Sequence, residues 1–130
     1  MIIDNKFLDS LLTEAAASER KRMAYDMRNG NNDTSQRLLN ALMPETKVPV
    51  HRHRNTSETL VVLRGELMEV IYDDNGKVVK RVVLNPQKGN YIYQIPAGTW
   101  HTIEVIEPSI IFEAKDGVYA PVNAKDIMDL

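Results

Sequence analysis

The chain contains no cysteine. That absence excludes disulfides, thiolate metal sites and cysteine nucleophiles together, and it fits a reducing, cytoplasmic setting. Long apolar runs are missing too: nothing approaches the ~20 residues that a membrane span requires. The first residues, MIIDNKFLDSLLTEAAASERKR, carry acidic groups early and build no apolar h-region, which predicts no signal peptide. Charge of one sign is also scarce. A formal net charge of −2 leaves no electrostatic footprint for nucleic acid, and Arg20-Lys21-Arg22 reads as a local feature at a helix end. The 130 residues suit one domain with its own core, 1–130.

What is present is patterned. Phe7, Leu8, Leu11, Leu12, Ala15 and Ala16 share one stripe at helical spacing, predicting a helix over about 5–19 with Asp4 or Asn5 as N-cap. The stripe must cover either this chain's own sheets or a partner's, which leaves room for a homodimer. Beyond it the period shortens. Met23, Tyr25 and Met27 alternate with polar residues, the loop at 29–33 interrupts, and strand-like runs follow at about 36–43, 47–53, 58–64, 66–72, 77–84, 90–95, 101–107 and 109–115. Asp73-Asp74-Asn75-Gly76 is a hairpin signal, because Asn-Gly accepts the positive φ of a type I′ turn. Further reversals stand at 86–89, 96–98 and 107–109. Many short strands at this spacing predict a mainly β sandwich or barrel over about 22–115, followed by a tail, 116–130, ending in a helical turn or two.

Only three histidines occur, at 51, 53 and 101. In a strand, His51 and His53 project to the same side and form a pair of nitrogen donors. Glu58 opens the apolar run Thr59–Leu63, where a buried carboxylate needs a partner that a divalent cation could supply. His101 follows the turn Pro96-Ala97-Gly98-Thr99, which aims it in a definite direction. Three imidazoles and a carboxylate suit Fe²⁺, Mn²⁺, Zn²⁺, Ni²⁺ or Co²⁺, with two adjacent positions left for water or substrate on a six-coordinate ion. Singly, each residue also fits a plainer role: packed or surface histidines, and an exposed loop carboxylate.

Together these residues resemble the two-part signature of the cupin superfamily. His51-x-His53-x4-Glu58-x6-Gly65 follows the first motif from its first histidine onward, and Pro96-x-Gly98-x2-His101 follows the centre of the second. Three positions depart: Glu45 replaces the opening glycine, Gly89 lies one residue too far from Pro96, and Val105 replaces the terminal asparagine. The resemblance implies a small single-domain cupin, a jelly-roll β-barrel with an N-terminal α-helix, holding one divalent metal with His51, His53, Glu58 and His101. The segments 36–42, His51-Arg52-His53 and 112–121 further resemble the WbuC-type cupins, bacterial metalloproteins often encoded near surface-polysaccharide genes. That likeness, over about 18–121, implies a sugar-related role, with a sugar or sugar nucleotide as the small-molecule ligand; the metal as a Lewis acid would suit isomerase- or epimerase-type chemistry. A non-catalytic binding module and an iron-dependent dioxygenase are the alternatives.

Strand alternation nominates neighbours for the metal. Leu60, Val62 and Arg64 share a face with Glu58, and Ile103 and Val105 share one with His101. On 109–115, either Ile110, Phe112 and Ala114 or Ile111, Glu113 and Lys115 face the interior. In the second case Glu113 is a candidate general acid or base; an exposed Glu-Lys face is the other outcome. Tyr93, on one face with Tyr91, is a candidate proton donor or an aromatic plug at the barrel end. Arg37 and Arg64 are candidate substrate-binding cations, since a guanidinium pairs bidentately with carboxylate or phosphate; a solvent-facing Arg37 is the alternative.

Overall fold

Turn chemistry and alternating runs produce two facing antiparallel sheets in the computed structural model, which describes residues 1–130. In chain order the elements are α1 (Asn5–Ala17), β1 (Arg22–Asp26), β2 (Ser35–Leu42), β3 (Val50–His51), β4 (Glu58–Arg64), β5 (Leu67–Tyr72), β6 (Val78–Leu84), β7 (Ile92–Ile95), β8 (Trp100–Val105), β9 (Ser109–Asp116) and β10 (Ile127–Met128). One sheet has the order β1-β2-β9-β4-β7 and the other β10-β3-β8-β5-β6. No helix is long and apolar enough to cross a membrane.

Helix α1 begins where Asp4 accepts a hydrogen bond from the Phe7 backbone N–H at 3.0 Å, a cap worth about 1 kcal/mol. It ends two residues earlier than expected, at Ala17, with Ser18 extended. Lys21 nevertheless serves the helix end, its ammonium donating to the Ala16 carbonyl at 2.9 Å. The apolar stripe covers this chain's own sheet: Leu8, Leu11 and Ala15 pack on Leu39, Ala41 and Ile110. Since β-strand side chains alternate, the odd-numbered residues of β2 that meet the helix leave Asn40 and Leu42 facing the other sheet. There Leu42, Leu60, Val62, Leu67, Leu84 and Ile111 form a second apolar cluster.

Two departures from the expected strands shape the interior. The run expected over 47–53 contracts to Val50–His51, because Pro49 supplies no N–H for a ladder. The tail forms a single 3-10 turn, Ala124–Asp126, and then β10, which pairs Ile127 with His51 and Met128 with Val50. The end of the chain thereby braces the strand that carries the first histidine.

Gly65 shows why the first motif ends on glycine. Its φ is +91°, and an added Cβ would collide with the Pro108 carbonyl oxygen and the Ser109 hydroxyl. Gly65→Ala is therefore expected to destabilise the fold by at least about 2 kcal/mol, read as a lower urea midpoint with an unchanged m-value.

Candidate metal centre

His51 and His101 are direct cross-strand partners on β3 and β8, with ring centroids 4.4 Å apart. His53 arrives from the loop after β3, so the short strand delivers one imidazole and the bend delivers the other. That bend is held by the turn of the second motif: the Gly98 N–H donates to the His53 carbonyl at 2.7 Å, and Gly98 takes the positive φ of 81° this requires. Between the histidines, Arg52 turns away and stacks on Trp100 at 4.3 Å. Asp126 accepts from both Arg52 at 2.9 Å and Arg54 at 2.7 Å, which fixes the loop to the 3-10 turn before β10.

The ligating atoms of His51, His53 and His101 all lie within 4.8 Å of one another. His51 Nδ1–H donates to the Pro49 carbonyl and His101 Nδ1–H to the Thr99 carbonyl, both at 2.9 Å. Carbonyl oxygens only accept, so both rings carry a proton on Nδ1, and in the neutral form they present a bare Nε2 to the centre. Glu58, the first residue of β4 and 4% exposed, places its Oε2 3.5 Å from the Nε2 atoms of both His53 and His101. That oxygen is buried without a hydrogen-bond partner.

Protonation states match the geometry. Burial lowers the pKa of His51, reinforced by the neighbouring His101. Burial, with the Lys115 charge, lowers His53 to about 4. Burial alone would raise Glu58, yet the neighbouring His101 and Glu113 side chains and the Lys115 charge outweigh it and hold the carboxyl well below the usual range. Neutral imidazoles and an ionised carboxylate are the forms that bind a cation. An orphaned buried carboxylate oxygen facing bare ring nitrogens fits a divalent metal.

The centre opens into a cavity of about 930 Å³ between the sheets, bounded at its mouth by residues 54–57 and 117–123. Glu113 lines it, on the inward face of β9 with Lys115. Burial raises the Glu113 pKa, as do the Glu58 charge and their mutual hydrogen bond, so Glu113 is the protonated member of that pair. Asn40 Nδ2 lies 3.4 Å from its Oε1.

Three expected site residues lie elsewhere. Arg64 sits past a bulge between Val62 and Arg64, which rotates it onto the helix side, where it donates to Asp9 at 2.6 Å and Asn5 at 3.0 Å. Alternation alone put it beside Glu58; the extra residue reverses the face. Arg37 shares the outer face of β2 with Leu39 and pairs with Asp33 at 3.1 Å, so it points away from the cavity. Tyr93 is opposite Leu60 on β4 but packs against the apolar cluster, with the Lys80 ammonium 5.8 Å from its ring, and it does not line the cavity. It is the aromatic plug.

Sequence reasoning missed Glu69. It is fully buried, and neither carboxyl oxygen has a hydrogen-bond partner. Oε1 stands 3.9 Å from His101 Nε2. Burial, with the charges of Glu58 and Glu113, pushes its pKa up to about 9. The signal was a lone carboxylate in the apolar run Leu67-Met68-Glu69-Val70-Ile71. An unsatisfied buried polar group costs about 1–3 kcal/mol, so Glu69→Met is expected to raise the thermal midpoint of the metal-free chain. A lower midpoint would show that Glu69 is satisfied.

A model of the family described as "Domain of unknown function (DUF6016)" matches residues 3–84, a span that includes His51, His53 and Glu58 and stops before His101. No curated protein sequence matches the chain. Among solved structures, the capsular polysaccharide assembling protein CapF from Staphylococcus aureus superposes with a TM-score of 0.67 at 18% identity, covering 87% of this chain and 32% of that one. An oxalate oxidase bound to the substrate analogue glycolate gives 0.64 at 14% identity, covering 83% and 57%. The oxalate decarboxylase of Lactobacillus farciminis, a formate complex, gives 0.62 at 14% identity, covering 87% and 32%. The chain thus spans from about a third to just over half of these proteins, and the likeness at such identities is one of fold: two antiparallel sheets of the cupin type with an N-terminal helix.

Proposed function

The chain belongs to the DUF6016 family, and from that premise we propose that it is a metal-dependent cupin acting on a sugar-derived small molecule, in the manner suggested by its WbuC-type likeness. His51, His53, Glu58 and His101 are the proposed ligands of one divalent ion. The observation that carries this reading is the convergence of the Nε2 atoms of His53 and His101 on the orphaned Oε2 of Glu58, at 3.5 Å each, with the His51 nitrogen in the same cluster. The likeness to a capsular polysaccharide assembling protein supports a place in surface-polysaccharide synthesis.

A bound divalent ion supplies Lewis acidity to a substrate oxygen. The chain's own residues handle protons around it. Glu113, half-buried and protonated beside Glu58, is positioned as a general acid, and Asn40 fixes its carboxyl. Glu69, on the opposite sheet, offers a second buried carboxyl next to His101. Two acid-base groups flanking one metal favour isomerase- or epimerase-type proton transfer over capture without turnover, for which neither group is needed.

Protein purified without a histidine tag is expected to carry about one divalent metal per chain by elemental analysis. His51→Ala and His101→Ala should each lose most of it, because removing one first ligand typically leaves the others unable to compete with buffer. Variants that keep the full metal content while remaining folded would contradict the ligand assignment.

A further inference from the structure

The cavity floor is acidic, yet two half-buried cations along its lining, Arg22 on the edge strand β1 and Lys115 on β9, have no ion-pair partner, and only Lys115 stands across from Glu58. Lys115 lies on the inward face of β9, directly opposite Glu58 on β4, and is half-buried along the cavity lining. Most of the other charges nearby are already committed. Asp126 holds Arg52 and Arg54, Glu58 aims at the histidines, and Glu113 pairs with Glu58 and Asn40. Arg37 and Arg64 are tied to Asp33 and Asp9 outside the cavity. Holding a half-buried ammonium without a counter-ion costs free energy, and the long stem could have turned outward to water.

We propose that Lys115 is the anchor for a carboxylate on the substrate, so that the cavity takes a sugar acid in preference to the neutral sugar. This rests on the metal-cupin reading and narrows it. Cross-strand placement puts the ammonium beside the residue proposed to ligate the metal, so one small acyclic or cyclic molecule spans both. With Glu58 turned toward the histidines, Lys115 is left without an ion pair, and an incoming anion supplies one. A charged hydrogen bond in a partly desolvated site contributes enough to discriminate an acid from an alcohol of the same length.

The test compares D-gluconate with D-sorbitol, which carries a hydroxymethyl group where gluconate has its carboxylate, and with inorganic phosphate. Binding to the zinc-loaded chain is followed by calorimetry and thermal stabilisation. Gluconate should bind wild type, and Lys115→Met should weaken it at least tenfold with metal content unchanged. Lys115→Arg should recover most of the loss, and sorbitol should bind weakly and indifferently to all three proteins. Equal binding of sorbitol and gluconate, or Lys115→Met indistinguishable from wild type, would overturn the inference. Phosphate bound through Lys115 in preference to gluconate would overturn the carboxylate assignment. Metal content measured on the same samples separates the two readings. A metal-free chain that still binds gluconate through Lys115 overturns the metal centre and supports the carboxylate anchor; a metal-loaded chain blind to the carboxylate overturns only the anchor.

Discussion

An ionised carboxylate inside a barrel of aliphatic side chains must be compensated, because an isolated buried charge costs far more than a domain's whole stability. Glu58 is in that position. Its Oε2 meets no hydrogen-bond donor, and the groups facing it are imidazoles whose bare nitrogens are themselves acceptors. Much of the surrounding structure can be understood as holding this arrangement in place. The turn at Gly98 grips the His53 carbonyl, Asp126 clamps the arginines flanking His53, and β10 braces β3. Without such supports the four side chains would relax apart and let water solvate the charge.

The same constraint orders the other carboxyls. Glu113 and Glu69 cannot both ionise next to Glu58, since like charges in a low-dielectric interior raise one another's pKa. The interior therefore carries one anionic carboxyl and two that hold protons, on opposite sheets, around the same three rings. A centre so arranged has its charge-bearing carboxylate and its proton-bearing groups distinguished by environment alone. Lys115 then stands at the cavity wall, across from Glu58, as a cation without an ion pair.

How much of this was legible in the residues depended on local order. Helix α1, its Asp4 cap and the hairpin at Asp73–Gly76 follow from short-range rules, and so does the convergence of three histidines and Glu58, because motif spacing records it. Arg64 failed because alternation presumes an unbroken ladder, and a single bulge between Val62 and Arg64 reversed its face. Arg37 depended on which face of β2 the helix would cover, a tertiary fact. His53 reached the site although its strand did not extend that far; spacing was right where its mechanism, alternation, was not. Glu69 was overlooked because polar residues in strands are ordinarily assigned to the solvent face, and only its apolar neighbours on both sides marked it as buried. The pairing of β10 with β3 joins residues more than seventy positions apart and left no trace in local pattern.

The central claim is that a single cation sits among His51, His53, Glu58 and His101. Anomalous scattering at the absorption edge of the metal that copurifies tests it most directly. The account predicts one peak per chain, about 2.0–2.2 Å from the three Nε2 atoms and a Glu58 oxygen, with both Nδ1–H donors still on their carbonyls. A peak elsewhere, or no peak with the Glu58 carboxylate hydrogen-bonded to water, would contradict it.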